Sequence, residues 1–98
     1  MAGDQVINYT IPALLNDEME QLYNRTKEAI GNNQVFIGLD YYSGRYRDTY
    51  TGVLTDKYIK HLDPLLLAML VTKGYSFFGG SVSINRDNGE FRVEVYND

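Results

Sequence analysis

The chain predicts an α+β fold, a single two-layer domain whose antiparallel sheet of four to five strands carries its helices on one face. Three observations predict it. Two stretches, about 35–54 and 76–97, alternate apolar and polar side chains around a glycine-containing turn, as half-buried hairpins do. Residues 12–30 repeat apolar side chains at three- and four-residue steps, the spacing of a one-sided helix. Residues 55–73 hold a second run of helix formers. Strands that come as hairpins, rather than singly between helices, make an antiparallel sheet. At 98 residues the chain 1–98 is one domain.

The order of elements begins with "DQVINYTI" at 4–11, a weak strand that sets Ile7, Tyr9 and Ile11 against Val6, Asn8 and Thr10. Thr10 and Pro12 read as a helix entrance, since proline suits the first turn, where its missing N–H is not needed. Leu15, Met19, Leu22, Tyr23, Ala29 and Ile30 then form one apolar stripe. Asp17, Glu18 and Glu20 near its start and Arg25 and Lys27 near its end match the helix dipole, and Gly31 is the stop.

In the first hairpin, "VFIGLDYYSGRYRDTYTGVL", Ser43-Gly44 is read as a two-residue turn. That register pairs Tyr42 with Arg45 as a cation–π contact and Asp40 with Arg47 as a cross-strand ion pair. It sorts Val35, Ile37, Leu39, Tyr41, Tyr46 and Tyr50 onto one face, with Asp48 as a misfit there and Phe36 as a misfit on the polar side.

Residues 55–62 make two helical turns, broken before Pro64, where Asp63 becomes N-cap and Pro64 the first helical residue. "LLLAMLV", 65–71, is apolar all round and closes at Lys73-Gly74. The last hairpin turns at Asn88-Gly89. It puts Val82, Ile84, Val93 and Val95 on one face, through a two-residue turn or a four-residue loop of the same parity. Gly79-Gly80 reads as a bulge or kink.

No catalytic set emerges, and no enzyme is expected. His61 is the sole histidine and there is no cysteine, so no metal-ligand cluster or thiolate nucleophile is expected, and no cofactor. No serine lies in a Gly-x-Ser-x-Gly elbow, and "FFGG" is not a phosphate-binding loop. The net charge of −4 argues against nucleic acid. The longest apolar run is too short for a membrane span. Absence of cysteine and of a basic-then-apolar leader points to the cytoplasm.

What remains is binding. Tyr42, Arg45, Arg47 and Tyr96 form Tyr/Arg-rich polar faces of the kind enriched in protein recognition. Leu65, Leu66, Leu67, Met69 and Leu70 ask for more cover than one small subunit readily supplies, which predicts a homo-oligomer, with a dimer favoured. The expected function is therefore a non-catalytic binding protein. By size and composition the chain is similar in general type to small accessory proteins of phages and mobile elements, many of which occupy or inhibit a host protein. The alternative is an oligomer that sequesters a nucleotide-like ligand against Tyr42, Arg45 and Arg47.

Overall fold

A computed structural model describes residues 6–31, 35–55, 63–75 and 77–97. The elements run β1 (Val6–Ile11), α1 (Asn16–Ile30), β2 (Phe36–Ser43), β3 (Arg47–Leu54), α2 (Pro64–Thr72), β4 (Gly80–Asn85) and β5 (Glu90–Tyr96). The five strands form one antiparallel sheet in the order β1-β4-β5-β3-β2. The α+β architecture read from the sequence is the one observed, with the weak first strand taking a full place at one edge. The short helical turns expected over 55–62, with His61, lie outside the described residues, Thr55 apart.

Alternation decides which face is core. Val82, Ile84, Phe91, Val93 and Val95 point toward α2 and are buried, while Ser81, Ser83, Arg92 and Glu94 point to the opposite, open face. Ile7, Tyr9 and Ile11 join the core side through their pairing with Ile84, Val82 and Gly80. α2 lies against β1, β4 and β5, and α1 packs alongside α2.

The first helix starts later than the sequence suggests. Pro12 does not begin it: residues 12–15 carry the chain from the sheet to the helix layer, and Leu15 is the N-cap residue, without a side-chain cap. Leu15 is consequently exposed rather than part of the buried stripe, whereas Met19 is completely enclosed. Asp17 and Glu18 in the first turn and Lys27 in the last sit as the dipole favours.

The second helix begins and ends as its sequence dictates. Asp63 caps it by accepting a hydrogen bond from Leu65 N–H at 2.9 Å, and Pro64 takes the first turn. Lys73 in the left-handed region (φ 57°) and Gly74 (φ 80°) close it, with Gly74 N–H donating to the Met69 carbonyl. Gly74 also leaves room for the Tyr23 ring of α1, which a Cβ there would meet at 2.9 Å.

Both hairpins shift in register; the predicted parity holds throughout the second and, in the first, only beyond the bulge in β2. In the second, Ile84 pairs with Phe91 and Val82 with Val93, around a four-residue loop over 86–89. In the first, Tyr41 pairs with Tyr50 and Ser43 with Asp48, so the turn is made by Arg45-Tyr46 and not by Ser43-Gly44. Asp40 therefore faces Thr51 rather than Arg47, and the expected Asp40–Arg47 ion pair does not form. A bulge between Ile37 and Asp40, with Gly38 at φ 60°, adds one residue to β2. That extra residue turns Phe36 inward onto Phe91, ring centroids 5.5 Å apart, and turns Ile37 outward. The expected glycine irregularity at 79–80 is present. Gly79 has φ 96°, and a side chain at Gly80 would overlap the Glu94 carbonyl.

Candidate functional site

The open face is a polar grid read directly from the register. One row is Thr10, Ser81, Glu94, Thr49 and Tyr42; the next is Asn8, Ser83, Arg92, Thr51 and Asp40. At the end nearest the β2–β3 turn, Arg47 pairs with Tyr96, and Asn97 N–H donates to the Tyr46 carbonyl at 3.0 Å. These contacts tie the hairpin tip to the end of β5.

There the face hollows into a cleft of about 440 Å³, lined by Tyr42, Arg45, Tyr46, Arg47, Thr49 and Tyr96 among others. All four residues that the sequence nominated for partner contact, Tyr42, Arg45, Arg47 and Tyr96, line it. They come from β2, the turn, β3 and β5 respectively. Ser43, Tyr46 and Thr49 were not nominated; a correct turn position would have brought them in.

The electrostatics of the cleft are set by Glu94. Its carboxylate accepts from Arg47 Nη1 at 3.3 Å and from Arg92 Nε at 2.8 Å, so one acid is shared by two guanidinium groups. The Glu94 side chain is mostly covered and the two arginines are more than half exposed. Arg45 stacks over the neighbouring Tyr46 ring at 5.1 Å, rather than over Tyr42 as the sequence suggested. The cleft thus presents aromatic faces with a mild positive bias.

A second cleft, of about 500 Å³, opens on the helix side, where α2 ends and β2–β3 overhang it. It is lined by Leu39, Tyr41, Asp48, Tyr50, Val71 and Tyr75 among others. Tyr41 and Tyr50 stack at 4.9 Å. Burial, then the neighbouring Tyr41 and Asp48, push the Tyr50 phenol up to about 12. Asp48 Oδ1 is buried without a hydrogen-bond partner among the described residues. The misfit of Asp48 on the apolar face, visible in the sequence, is therefore real.

The residues nominated for an oligomer interface are divided. Leu67 and Met69 are fully enclosed within one chain, beneath the sheet and α1, and have no surface to offer. Leu65, Leu66 and Leu70 keep partial exposure. An all-apolar helix is sheltered here because α1 covers the side that the sheet leaves open.

Among the described residues, no group of three or more His, Cys, Asp or Glu is placed to hold a metal ion. No helix among them is long and apolar enough to cross a membrane. Comparison with protein-family models, curated proteins and solved structures returns no match.

Proposed function

We propose that this chain is a non-catalytic binding protein of the cytoplasm that acts by protein–protein contact, with the open-face cleft as its recognition surface. The observation that carries this reading is the convergence of Tyr42, Arg45, Arg47 and Tyr96, from four separate segments, around one hollow. Exposed tyrosine and arginine on a rigid sheet provide large contact area at small entropic cost, which is how recognition surfaces concentrate binding energy. A small acidic protein built this way suits the role of a phage or mobile-element accessory protein that occupies or inhibits a host protein.

A nucleotide-like ligand is the weaker occupant. Arg47 and Arg92 are both already engaged by Glu94. A phosphate would have to displace that carboxylate or accept its repulsion. A polypeptide offering hydroxyls or an aromatic ring meets the same cleft without disturbing it.

Capture from a native host lysate tests the proposal, comparing wild type with the double variant Arg45→Glu, Tyr96→Ala. Neither side chain holds the Glu94 network, so the variant should melt within a few degrees of wild type. At least one protein retained by the wild type should be lost. An identical retained set would remove the cleft as the recognition surface. A nucleotide panel that raises the melting temperature of the wild type alone would favour the small ligand instead.

A further inference from the structure

We infer that two copies of this chain join through strand β2, edge to edge about a two-fold axis, into one continuous ten-stranded sheet. This rests on the sheet edge and not on the cleft reading, and its test reads association between copies through Ser43, Asp40 and Tyr42, not partner capture through Arg45 and Tyr96.

β2 is the outermost strand, with β3 on one side and nothing described on the other. Protein sheets ordinarily blunt such an edge with lysine, proline, short length or cover. "FIGLDYYS" is eight residues long, has neither lysine nor proline, and is exposed from Ile37 onward. Its apolar and aromatic side chains are among the most accessible in the chain: Ile37 at 52%, Leu39 at 43%, Tyr41 at 54% and Tyr42 at 66%.

The backbone specifies how a partner strand would fit. Gly44 N–H donates to the Arg47 carbonyl at 2.7 Å, so this is a hydrogen-bonded pair of the hairpin. Bonded and unbonded pairs alternate along an antiparallel ladder. Tyr42 and Asp40 therefore turn their backbone groups toward β3, while Leu39, Tyr41 and Ser43 turn theirs outward. Only a register that sets these three residues against one another forms new bonds.

Among such registers, Tyr41 opposite Tyr41 of the second copy engages all three, with Leu39 opposite Ser43, and makes about six backbone hydrogen bonds. Sliding one way puts Asp40 against Asp40 of the second copy and runs into the Gly38 bulge. Sliding the other way runs off the strand at the Arg45-Tyr46 turn. In the favoured register Asp40, the one acidic side chain of β2, faces Tyr42 of the second copy, whose phenol donates to it. This contact occurs twice by symmetry, which is why a second copy, rather than an unrelated strand, is the occupant.

The area suffices. Tyr41, Tyr42 and Tyr75 are each more than half exposed. At roughly 150–250 Å² for a whole ring side chain, they offer roughly 300–500 Å² toward the roughly 800 Å² that each partner of a stable complex covers. Leu39, Ile37 and the strand backbone supply the remainder. The helix-side clefts of the two copies then meet across the axis. Asp40 of the second copy comes to the rim of the open-face cleft beside Tyr42.

Sedimentation at micromolar concentration should give about twice the 11.2 kDa chain mass. Ser43→Pro removes an outward N–H that has no hydrogen bond among the described residues, so it should halve the mass and leave the fold melting cooperatively. Cysteine pairing reads the register, since the chain has no cysteine of its own. Asp40→Cys mixed with Tyr42→Cys should form a disulfide-linked dimer, because these positions face each other at about 4.5 Å between Cα atoms. Neither variant alone should link, because like positions lie about 8 Å apart, beyond disulfide reach. A monomeric wild type, a dimeric Ser43→Pro, a mixture that fails to link, or either variant linking alone would each overturn the inference.

Discussion

Tyr50 shows how one side chain registers the layout around it. It stands on the core side of β3 beside Asp48 and against Tyr41, and burial with these neighbours pushes its phenol up to about 12 from the ordinary 10.0. A raised folded value means that the neutral phenol is preferred in the fold. Its contribution to stability is complete below about pH 10 and is lost as pH rises toward 12. Ultraviolet titration of tyrosinate should therefore contain a late step that Tyr50→Phe abolishes. Between pH 10 and 12 the variant should lose less stability than wild type. A single uniform titration in both proteins would refute this.

Elements are governed by their ends and their phase. α2 is the clearest case, since Asp63 and Pro64 start it and Lys73-Gly74 stop it. Asp63→Ala should cost about 1 kcal/mol, or roughly 4–8 °C in melting temperature, while Asp63→Asn should cost much less. Equal melting of Asp63→Ala and wild type would show that the cap adds nothing.

These end signals were legible in the sequence because they depend on two or three adjacent residues. The parity of the second hairpin, and of the first beyond its bulge, was legible for the same reason, since burial repeats every second residue. Absolute register was not. The Ser43-Gly44 step is an acceptable turn locally. The observed turn at Arg45-Tyr46 is instead accompanied by contacts from a distant strand, among them Arg47 with Glu94 and Asn97 with Tyr46. The bulge left a readable trace in Gly38 within a strand pattern, next to a Phe36 that fell on the wrong face. The site residues were found by type, and their convergence on one cleft depended on a strand order that no local pattern encodes.

At the scale of the molecule, the sheet is protected unevenly. β4, β5 and β3 have a strand on both sides, β1 and β2 on only one. Hydrogen exchange should accordingly be slowest for the β5 amides facing β3 and β4. In dilute protein the outward amides of Leu39, Tyr41 and Ser43 should exchange rapidly, and they should slow as concentration rises. The amides of Asp40 and Tyr42, already bonded to β3, should not change with concentration. Uniform behaviour along β2 at every concentration would contradict the two-fold assembly.

The single surplus residue in β2 has an effect beyond geometry. Before Gly38 the strand is in phase with its own core, as Phe36 on Phe91 shows; after it, the phase is reset and the side chains answer mainly to what lies outside. Substitutions downstream of that point can retune what the protein meets while the upstream anchor stays untouched. One strand is thereby split into a segment that maintains the domain and a segment at liberty to diverge.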